Sequence, residues 1–372
     1  MGLIATISEA VGAPRILADS ARMENLADEL VTCGYDLSNC AERLGVFPRL
    51  GVNFWPPLRR QWTPDENDAV DTLLELFIDG HVIPLDRLRK HLSKPFIDAV
   101  LETGLAEEDR ANLRSKLCLF PCYGKYIVTD RASKNTAINQ VMWLWAESYI
   151  LGGIVKRTPR RRALDLGTGS GVHAILASDH CECVAAVDIN LRALEFARFN
   201  AAMNGANNVD FVLSDLFGSV DSTFDLLLAN PPYLPDQATS PGANFWSGGT
   251  GGFDILRRIV YELPTRLDQD GAAHIIALYP NPPGTSTRDQ FNIWLDGALD
   301  NYQVLDHTWP VPNFQDLLSQ QPFEGDKSAW RFGAMSLRPC EKGKNWWKEV
   351  GGSGSFFGND GSCSVIADHD RA

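Results

Sequence analysis

Asp165-Leu-Gly-Thr-Gly-Ser-Gly171 begins inside a β-like run, residues 163–166, and leads into a helical pattern that begins at Val172. Glycines in such a turn let the backbone approach a ligand closely, and the following helix directs N–H groups at it. The even spacing of the glycines, and the acidic residue inside the strand, depart from the Gly-x-Gly-x-x-Gly pattern of dinucleotide-binding sheets. The stretch therefore predicts a ligand-binding turn in an α/β sheet and makes NAD the less favoured ligand.

The chain after this turn alternates between strand-like and helix-like patterns, which is typical of a doubly wound α/β domain. The predicted strands are residues 163–166, 183–187, 209–213, 226–229 and 272–278, and the predicted helices are residues 172–178, 191–203, 253–267 and 286–298. Two last β-like segments, 303–308 and 330–337, predict an antiparallel hairpin at the sheet edge. The expected fold is a Rossmann-like sheet of seven strands.

Acidic residues follow two of these strands. Asp188 ends the second strand, where a carboxylate can accept hydrogen bonds from both hydroxyls of a ribose, and Ile189 follows it. Asn190 is expected to cap the next helix, which leaves Asp188 available for the ligand. After the third strand, Asp215 and the backbone amide of Leu216 are placed to bind an adenine amino group and ring nitrogen.

A proline-rich motif, Asn230-Pro-Pro-Tyr233, follows the fourth strand. Consecutive prolines hold the backbone extended and rigid, so the Asn230 side chain and the Pro231 carbonyl can face one target. Both offer oxygen acceptors, which suit an NH2 group, and the ring of Tyr233 can stack on a planar substrate. The motif therefore predicts a site for a planar nitrogen.

Taken together, these elements resemble the class I S-adenosylmethionine-dependent methyltransferase superfamily and its Asn-Pro-Pro-Tyr branch. The resemblance covers about residues 160–280, and that branch includes protein-glutamine N5-methyltransferases and nucleobase methyltransferases. It implies S-adenosylmethionine as cofactor and catalytic roles for Asn230, Pro231, Pro232 and Tyr233. The implied cofactor-binding residues are Asp165, Gly167, Thr168, Gly169, Gly171, Asp188, Ile189, Asp215, Leu216 and Asn230.

A second glycine-rich segment, Gly248-Gly-Thr-Gly-Gly-Phe253, is similar to the Gly-Gly-x-Asp-Gly-Leu segment of the glutamine enzymes. Gly251 stands where those enzymes have Asp. The N-terminal half of the chain does not match theirs, so the resemblance leaves the acceptor open.

The N-terminal residues 1–135 are expected to form a mostly helical domain that selects the substrate or supports the fold. Helical patterns at 69–78, 84–92 and 95–103, followed by a hairpin over 113–129, predict a winged-helix arrangement. Residues 136–162 are expected to be a linker, with a helix over 137–150 and a solvated basic run. Residues 163–340 form the predicted catalytic domain, and the Gly- and Ser-rich residues 341–372 a flexible tail.

The composition excludes several classes of protein. A formal net charge of −13 disfavours an extensive nucleic-acid surface, because such a surface needs many Lys and Arg. No apolar run reaches membrane-spanning length, and the start of the chain lacks the basic leader of a secretory signal, so a cytoplasmic location is expected. The scattered cysteines do not form a metal-ligand pattern, and no metal is expected.

The sequence therefore predicts an N-methyltransferase acting on a planar nitrogen, with a side-chain amide of a protein or peptide favoured as acceptor. A nucleobase of RNA or DNA and a small molecule stay open as acceptors. A different class of protein is also possible, a winged-helix regulator that senses S-adenosylmethionine without using it.

Overall fold

The computed structural model describes residues 12–45, 62–132, 139–236, 246–280, 284–310 and 330–350. The Trp- and Pro-rich stretch, residues 54–62, lies outside these ranges except for Trp62. Within the described ranges, no helix combines the length and apolar composition that crossing a membrane requires. Nor do these ranges contain a group of three or more His, Cys, Asp or Glu arranged to hold a metal ion.

The N-terminal part begins with two capped helices, α1 (Ser20–Thr32) and α2 (Leu37–Leu44). Each starts at an aspartate whose side chain accepts a hydrogen bond from a backbone N–H of the first turn, Asp19 for α1 and Asp36 for α2. The buried face of α1 includes Leu30, which lies in the same hydrophobic cluster as α2.

A winged-helix arrangement follows. Its elements are α3 (Ala69–Leu73), a π-helical continuation (Leu74–Asp79), β1 (Val82–Pro84), α4 (Leu85–Leu88), α5 (Lys94–Glu102), β2 (Glu107–Asp109) and β3 (Asn112–Arg114). The three short strands form one antiparallel sheet in the order β1-β3-β2. The predicted layout of three helices and a hairpin is therefore present.

The predicted hairpin over 113–129, with its turn at residues 121–124, is confirmed, but it is not the wing of this arrangement. The wing turns earlier, at Arg110 and Ala111, which both have positive φ. The predicted hairpin is the separate one that follows, with strands β4 (Leu117–Cys122) and β5 (Lys125–Asp130) joined at Tyr123 and Gly124. The strands of the wing have only three residues each, too few for an alternating pattern to reveal them.

The central sheet has eight strands in the order β13-β11-β12-β10-β9-β6-β7-β8. The strands are β6 (Arg160–Leu166), β7 (Cys181–Asp188), β8 (Val209–Leu213), β9 (Phe224–Ala229), β10 (Leu267–Pro280), β11 (Tyr302–Pro310), β12 (Trp330–Pro339) and β13 (Trp346–Glu349). Strands β6 to β10 run parallel, whereas β12 is antiparallel to both β10 and β11. The expected seven strands and edge hairpin are confirmed, with β13 as an unpredicted eighth strand.

Helices cover both faces of this sheet. They are α6 (Ala146–Ile154), α7 (Val172–Ser178), α8 (Leu191–Met203), α9 (Asp254–Arg266) and α10 (Thr287–Trp294). In β10, Ile276 packs in a cluster with α6, whereas Ile275 packs in a cluster with α9 and α10. Because neighbouring side chains of a strand point to opposite faces, α6 lies on one face and α9 and α10 lie on the other.

Three expectations about the flanks of the sheet need correction. The helix expected from residue 137 begins at Ala146, and it is not a linker, because it is buried against the sheet. The basic run is a linker only as far as residue 159: β6 begins at Arg160, and the backbone amides of Arg161 and Arg162 donate to the Asp225 carboxylate at 2.8 and 2.9 Å. The Arg157 and Arg161 side chains are solvent-exposed, as expected. In the expected tail, β13 pairs in parallel with β11, and residues 351–372 lie outside the described ranges.

Candidate active site

Four neighbouring strands bring the predicted site residues to one edge of the sheet. In the order β8-β7-β6-β9, all four strands are parallel, so their carboxyl ends meet there. At these four ends lie, in the same order, Asp215, Asp188, the glycine-rich turn and Asn230. Ligands of open α/β sheets bind at this edge, so the arrangement defines a candidate active site.

The glycine-rich turn between β6 and α7 requires glycine for its conformation and for its packing. The backbone φ angles of Gly167, Gly169 and Gly171 are 66°, 55° and 83°. Residues other than glycine rarely adopt such positive values. At Gly171 a Cβ would also lie 2.9 Å from the Cβ of Ala197 in α8. The turn is thereby held between the end of β6 and α8, with the start of α7 at its other side.

Asp165 organises this turn from within the sheet. It is buried, and its Oδ2 accepts hydrogen bonds from the Thr168 hydroxyl at 2.6 Å and from the backbone N–H of Ala174 at 3.0 Å. Burial raises the pKa of Asp165 to about 7, although these two hydrogen bonds act in the opposite direction. Its Oδ1 is buried without a hydrogen-bond partner among the described residues, so one acceptor remains under the turn.

Asp188 joins the turn to the start of α8. Its Oδ2 accepts from the backbone N–H of Gly169 at 2.9 Å, and its Oδ1 accepts from that of Asn190 at 2.8 Å. Asn190 caps α8, as predicted, by accepting from the Arg192 amide at 3.0 Å. The backbone N–H of Ile189 is a third donor to this carboxylate. Asp188 is therefore not wholly free, but a carboxylate has about four acceptor sites, so it keeps capacity for a ligand. Burial raises the pKa of Asp188.

Ile189 and Asp215, which follow the adjacent strands β7 and β8, lie in different environments. Ile189 is 66% exposed and lies beside Asp188 at the edge of the sheet. Asp215 forms an ion pair with Arg258 of α9 at 2.9 Å, a partner that the sequence does not reveal. Leu216 follows it with φ of 50°, at the start of a 3₁₀ turn (Leu216–Ser219).

The Asn-Pro-Pro-Tyr motif begins directly after β9. Asn230 is half-buried and Pro231 is buried. The hydroxyl of Tyr233 donates to Oε1 of Glu147 in α6 at 3.3 Å, and the Tyr233 ring centroid lies 5.8 Å from that of Phe332 in β12. Tyr233 is thus held between a helix and a strand that are distant from it in sequence.

The second glycine-rich segment packs behind this motif. The backbone N–H of Leu234 donates to the Trp246 carbonyl, and that of Gly248 donates to the Leu234 carbonyl, both at 2.8 Å. A Cβ on Gly252 would lie 2.7 Å from the carbonyl oxygen of Tyr233. The glycines therefore let two backbone segments meet closely and fix the position of Tyr233.

This packing gives a first prediction. Gly252→Ala is expected to lower turnover at this site at least about tenfold, because φ of 77° strains alanine and the new Cβ displaces the Tyr233 backbone. Gly251→Ala is the matched control, since a Cβ there meets its nearest atom at 3.6 Å. Initial rates of turnover measure both variants, and equal rates would contradict this role of Gly252.

Glu147 is the residue of the site that the sequence reasoning missed. It is the only charged residue of the apolar helix α6, and that isolation was the available signal. His173, by contrast, is buried in α7, and burial lowers its pKa to about 4. This buried environment is that of a packing residue at the start of the helix.

The sequence from α6 to β10 matches a family model. Residues 147–281 match the model described as the methyltransferase small domain. The match includes the glycine-rich turn and the Asn-Pro-Pro-Tyr motif. The chain therefore contains a class I S-adenosylmethionine-dependent methyltransferase domain of the small-domain branch.

Several named relatives share this domain. A provisionally named protein N5-glutamine methyltransferase of Methanocaldococcus jannaschii is 40% identical over 118 residues, which cover 30% of this chain and 59% of the relative. The ribosomal protein uL3 glutamine methyltransferase of Bradyrhizobium diazoefficiens is 39% identical over 31% of this chain and 40% of its own length. The release factor glutamine methyltransferase of Deinococcus radiodurans is 36% identical over 32% of this chain and 46% of its own length. The matches thus span about half the length of these relatives.

Solved structures resemble the fold more distantly. The ribosomal protein L11 methylase of Lactobacillus delbrueckii subsp. bulgaricus aligns with a TM-score of 0.35 at 20% identity, over 53% of this chain and 78% of its own.

Proposed function

We propose that the protein transfers a methyl group from S-adenosylmethionine to the side-chain amide nitrogen of a protein or peptide. The observation that carries the proposal is the position of Asn230 and Pro231, at the strand end beside the glycine-rich turn. The names of the relatives, which describe glutamine methyltransferases, support an amide of glutamine as the acceptor.

The described residues fit the proposed cofactor. The buried Oδ1 of Asp165 has no partner within the described ranges, and the carboxylate of Asp188 retains acceptor capacity for ribose hydroxyls. The exposed Ile189 offers an apolar surface for the flat face of the adenine. We propose that Asp215 and Leu216 bind the edge of that base.

The chemistry required of the protein is mainly positioning. When bound, S-adenosylmethionine supplies an electrophilic methyl group, so neither a metal nor a covalent enzyme intermediate is needed. The nucleophile is the difficult partner, because the lone pair of an amide nitrogen is delocalised into its carbonyl group. Asn230 Oδ1 and the Pro231 carbonyl would accept hydrogen bonds from the two N–H groups of the amide and stabilise the positive character that grows on its nitrogen. As the N–CH3 bond forms, the S–CH3 bond breaks, S-adenosylhomocysteine leaves, and the nitrogen loses one proton to solvent.

The role of Asp188 gives a second prediction. Asp188→Ala is expected to weaken S-adenosylmethionine binding about 10- to 100-fold, because hydrogen bonds to a charged group contribute about 1.5–3 kcal/mol. Titration calorimetry measures the dissociation constant. Asp210→Ala, at an exposed position of β8, is the control and should bind like the wild type. Unchanged affinity of Asp188→Ala would exclude this carboxylate from the cofactor site.

The acceptor class is tested by methyl transfer into a cell extract. The protein is incubated with extract and tritium-labelled S-adenosylmethionine, and the label is sorted into protein, nucleic acid and small molecules. Label in protein that mass spectrometry places on glutamine supports the proposal. Label in nucleic acid or in small molecules would instead assign a nucleobase or a small molecule as acceptor. Cofactor binding without any transfer would favour a regulator that senses S-adenosylmethionine.

A further inference from the structure

A carboxyl group lies buried behind the candidate acceptor site. Glu147 is 2% exposed, on a helix whose neighbouring side chains Ile150 and Leu151 pack against the apolar face of the sheet. Burying a carboxyl group costs free energy that an apolar side chain of the same size avoids. Burial raises the pKa of Glu147 to about 7, and this shift reflects that cost.

The contact of Glu147 connects it to the acceptor motif. Its Oε1 accepts the hydrogen bond of the Tyr233 hydroxyl, while Phe332 contacts the ring of Tyr233 from β12. A tyrosine ring without the hydroxyl contact could rotate and shift against Phe332. The hydrogen bond therefore specifies one orientation of the ring that lies directly after Pro231 and Pro232.

We propose that Glu147 is a positioning residue for the methyl acceptor, which it serves by fixing the ring of Tyr233 beside Asn230 and Pro231. This inference rests on the proposed function, because it assigns Tyr233 to the surface on which the planar amide stacks. Glu147 does not itself touch the acceptor. Its loss should therefore reduce acceptor use and leave cofactor binding intact.

The test compares variants that keep or remove the hydrogen bond. Glu147→Leu removes it at similar volume, Glu147→Gln keeps an oxygen acceptor, and Tyr233→Phe removes the donor. Synthetic peptides that each contain one glutamine serve as acceptors, with tritium-labelled S-adenosylmethionine. We expect Glu147→Leu and Tyr233→Phe each to lower kcat/KM for the peptides about tenfold, the effect of roughly one hydrogen bond.

Two further readouts separate positioning from a merely structural role. The double variant Glu147→Leu/Tyr233→Phe should be no slower than either single variant, because both remove one contact. Glu147→Gln should recover to within about threefold of the wild type, since it restores the acceptor. The dissociation constant for S-adenosylmethionine should stay unchanged in all variants. Tyr261→Phe, at an exposed position of α9, controls for loss of a hydroxyl.

The outcomes distinguish this inference from the proposed function. If the wild type labels no peptide amide, the proposed function fails, and the inference fails with it. If the wild type labels peptides and Glu147→Leu labels them equally fast, only the inference fails. Additive losses in the double variant would also overturn it, because independent effects would show that Glu147 does not act through Tyr233.

Discussion

Asn230→Ala is expected to lower turnover by about 100-fold or more while the dissociation constant for S-adenosylmethionine changes less than about threefold. The reason is the stage of the reaction at which the hydrogen bond of Asn230 is strongest. Asn230 Oδ1 is proposed to accept from the amide nitrogen most strongly in the transition state, as positive character grows there. An interaction of that kind contributes to turnover rather than to binding of the cofactor.

The measurement separates these two quantities. Single-turnover rates with saturating acceptor peptide report the chemical step, and calorimetry reports cofactor affinity. Asn67→Ala, an exposed asparagine in the N-terminal part, should match the wild type in both. Equal losses of turnover and of cofactor affinity would count against a catalytic role for Asn230 and would assign it to cofactor binding instead.

The parallel part of the sheet could be predicted closely because its signals are local. Helices α7 and α8 and strand β8 have the predicted bounds. The apolar periodicity, the helix cap at Asn190 and the glycines of the turn each depend on a few adjacent residues. The same features place the strand ends, so the predicted cofactor residues come together at one edge.

The remaining features depend on contacts between residues distant in sequence. Glu147 meets Tyr233 across 86 positions, so its isolated charge in α6 marks Glu147 but does not reveal its partner. Strand β13 is held by Trp347, which packs on the core beside α10. The Gly- and Ser-rich sequence around this strand does not predict it. The three-residue strands of the wing are likewise set by tertiary pairing rather than by their own patterns.

The junction of the N-terminal part with the sheet domain is a further contact of this kind. Asn200 of α8 is fully buried, and its side chain forms two hydrogen bonds with the backbone of Val128 in β5, at 2.8 and 2.9 Å. Asn204 forms the same pair with Tyr126, at 2.8 and 2.7 Å. Asn200 also donates to the Ser170 carbonyl at 2.8 Å. One side chain therefore connects β5, α8 and the glycine-rich turn.

Asn200→Ala is expected to destabilise the protein by about 3–5 kcal/mol, because it leaves buried backbone groups of Val128 and Ser170 without these partners. The melting temperature should fall by about 4 to 8 °C, as followed by thermal denaturation. Asn207→Ala is the control, since its side chain is exposed just beyond the end of α8 and should change stability by less than about 0.5 kcal/mol. Equal melting temperatures of the two variants would show that the junction does not depend on Asn200. A large loss confined to Asn200→Ala would instead show that this asparagine stabilises the junction between the N-terminal part and the glycine-rich turn.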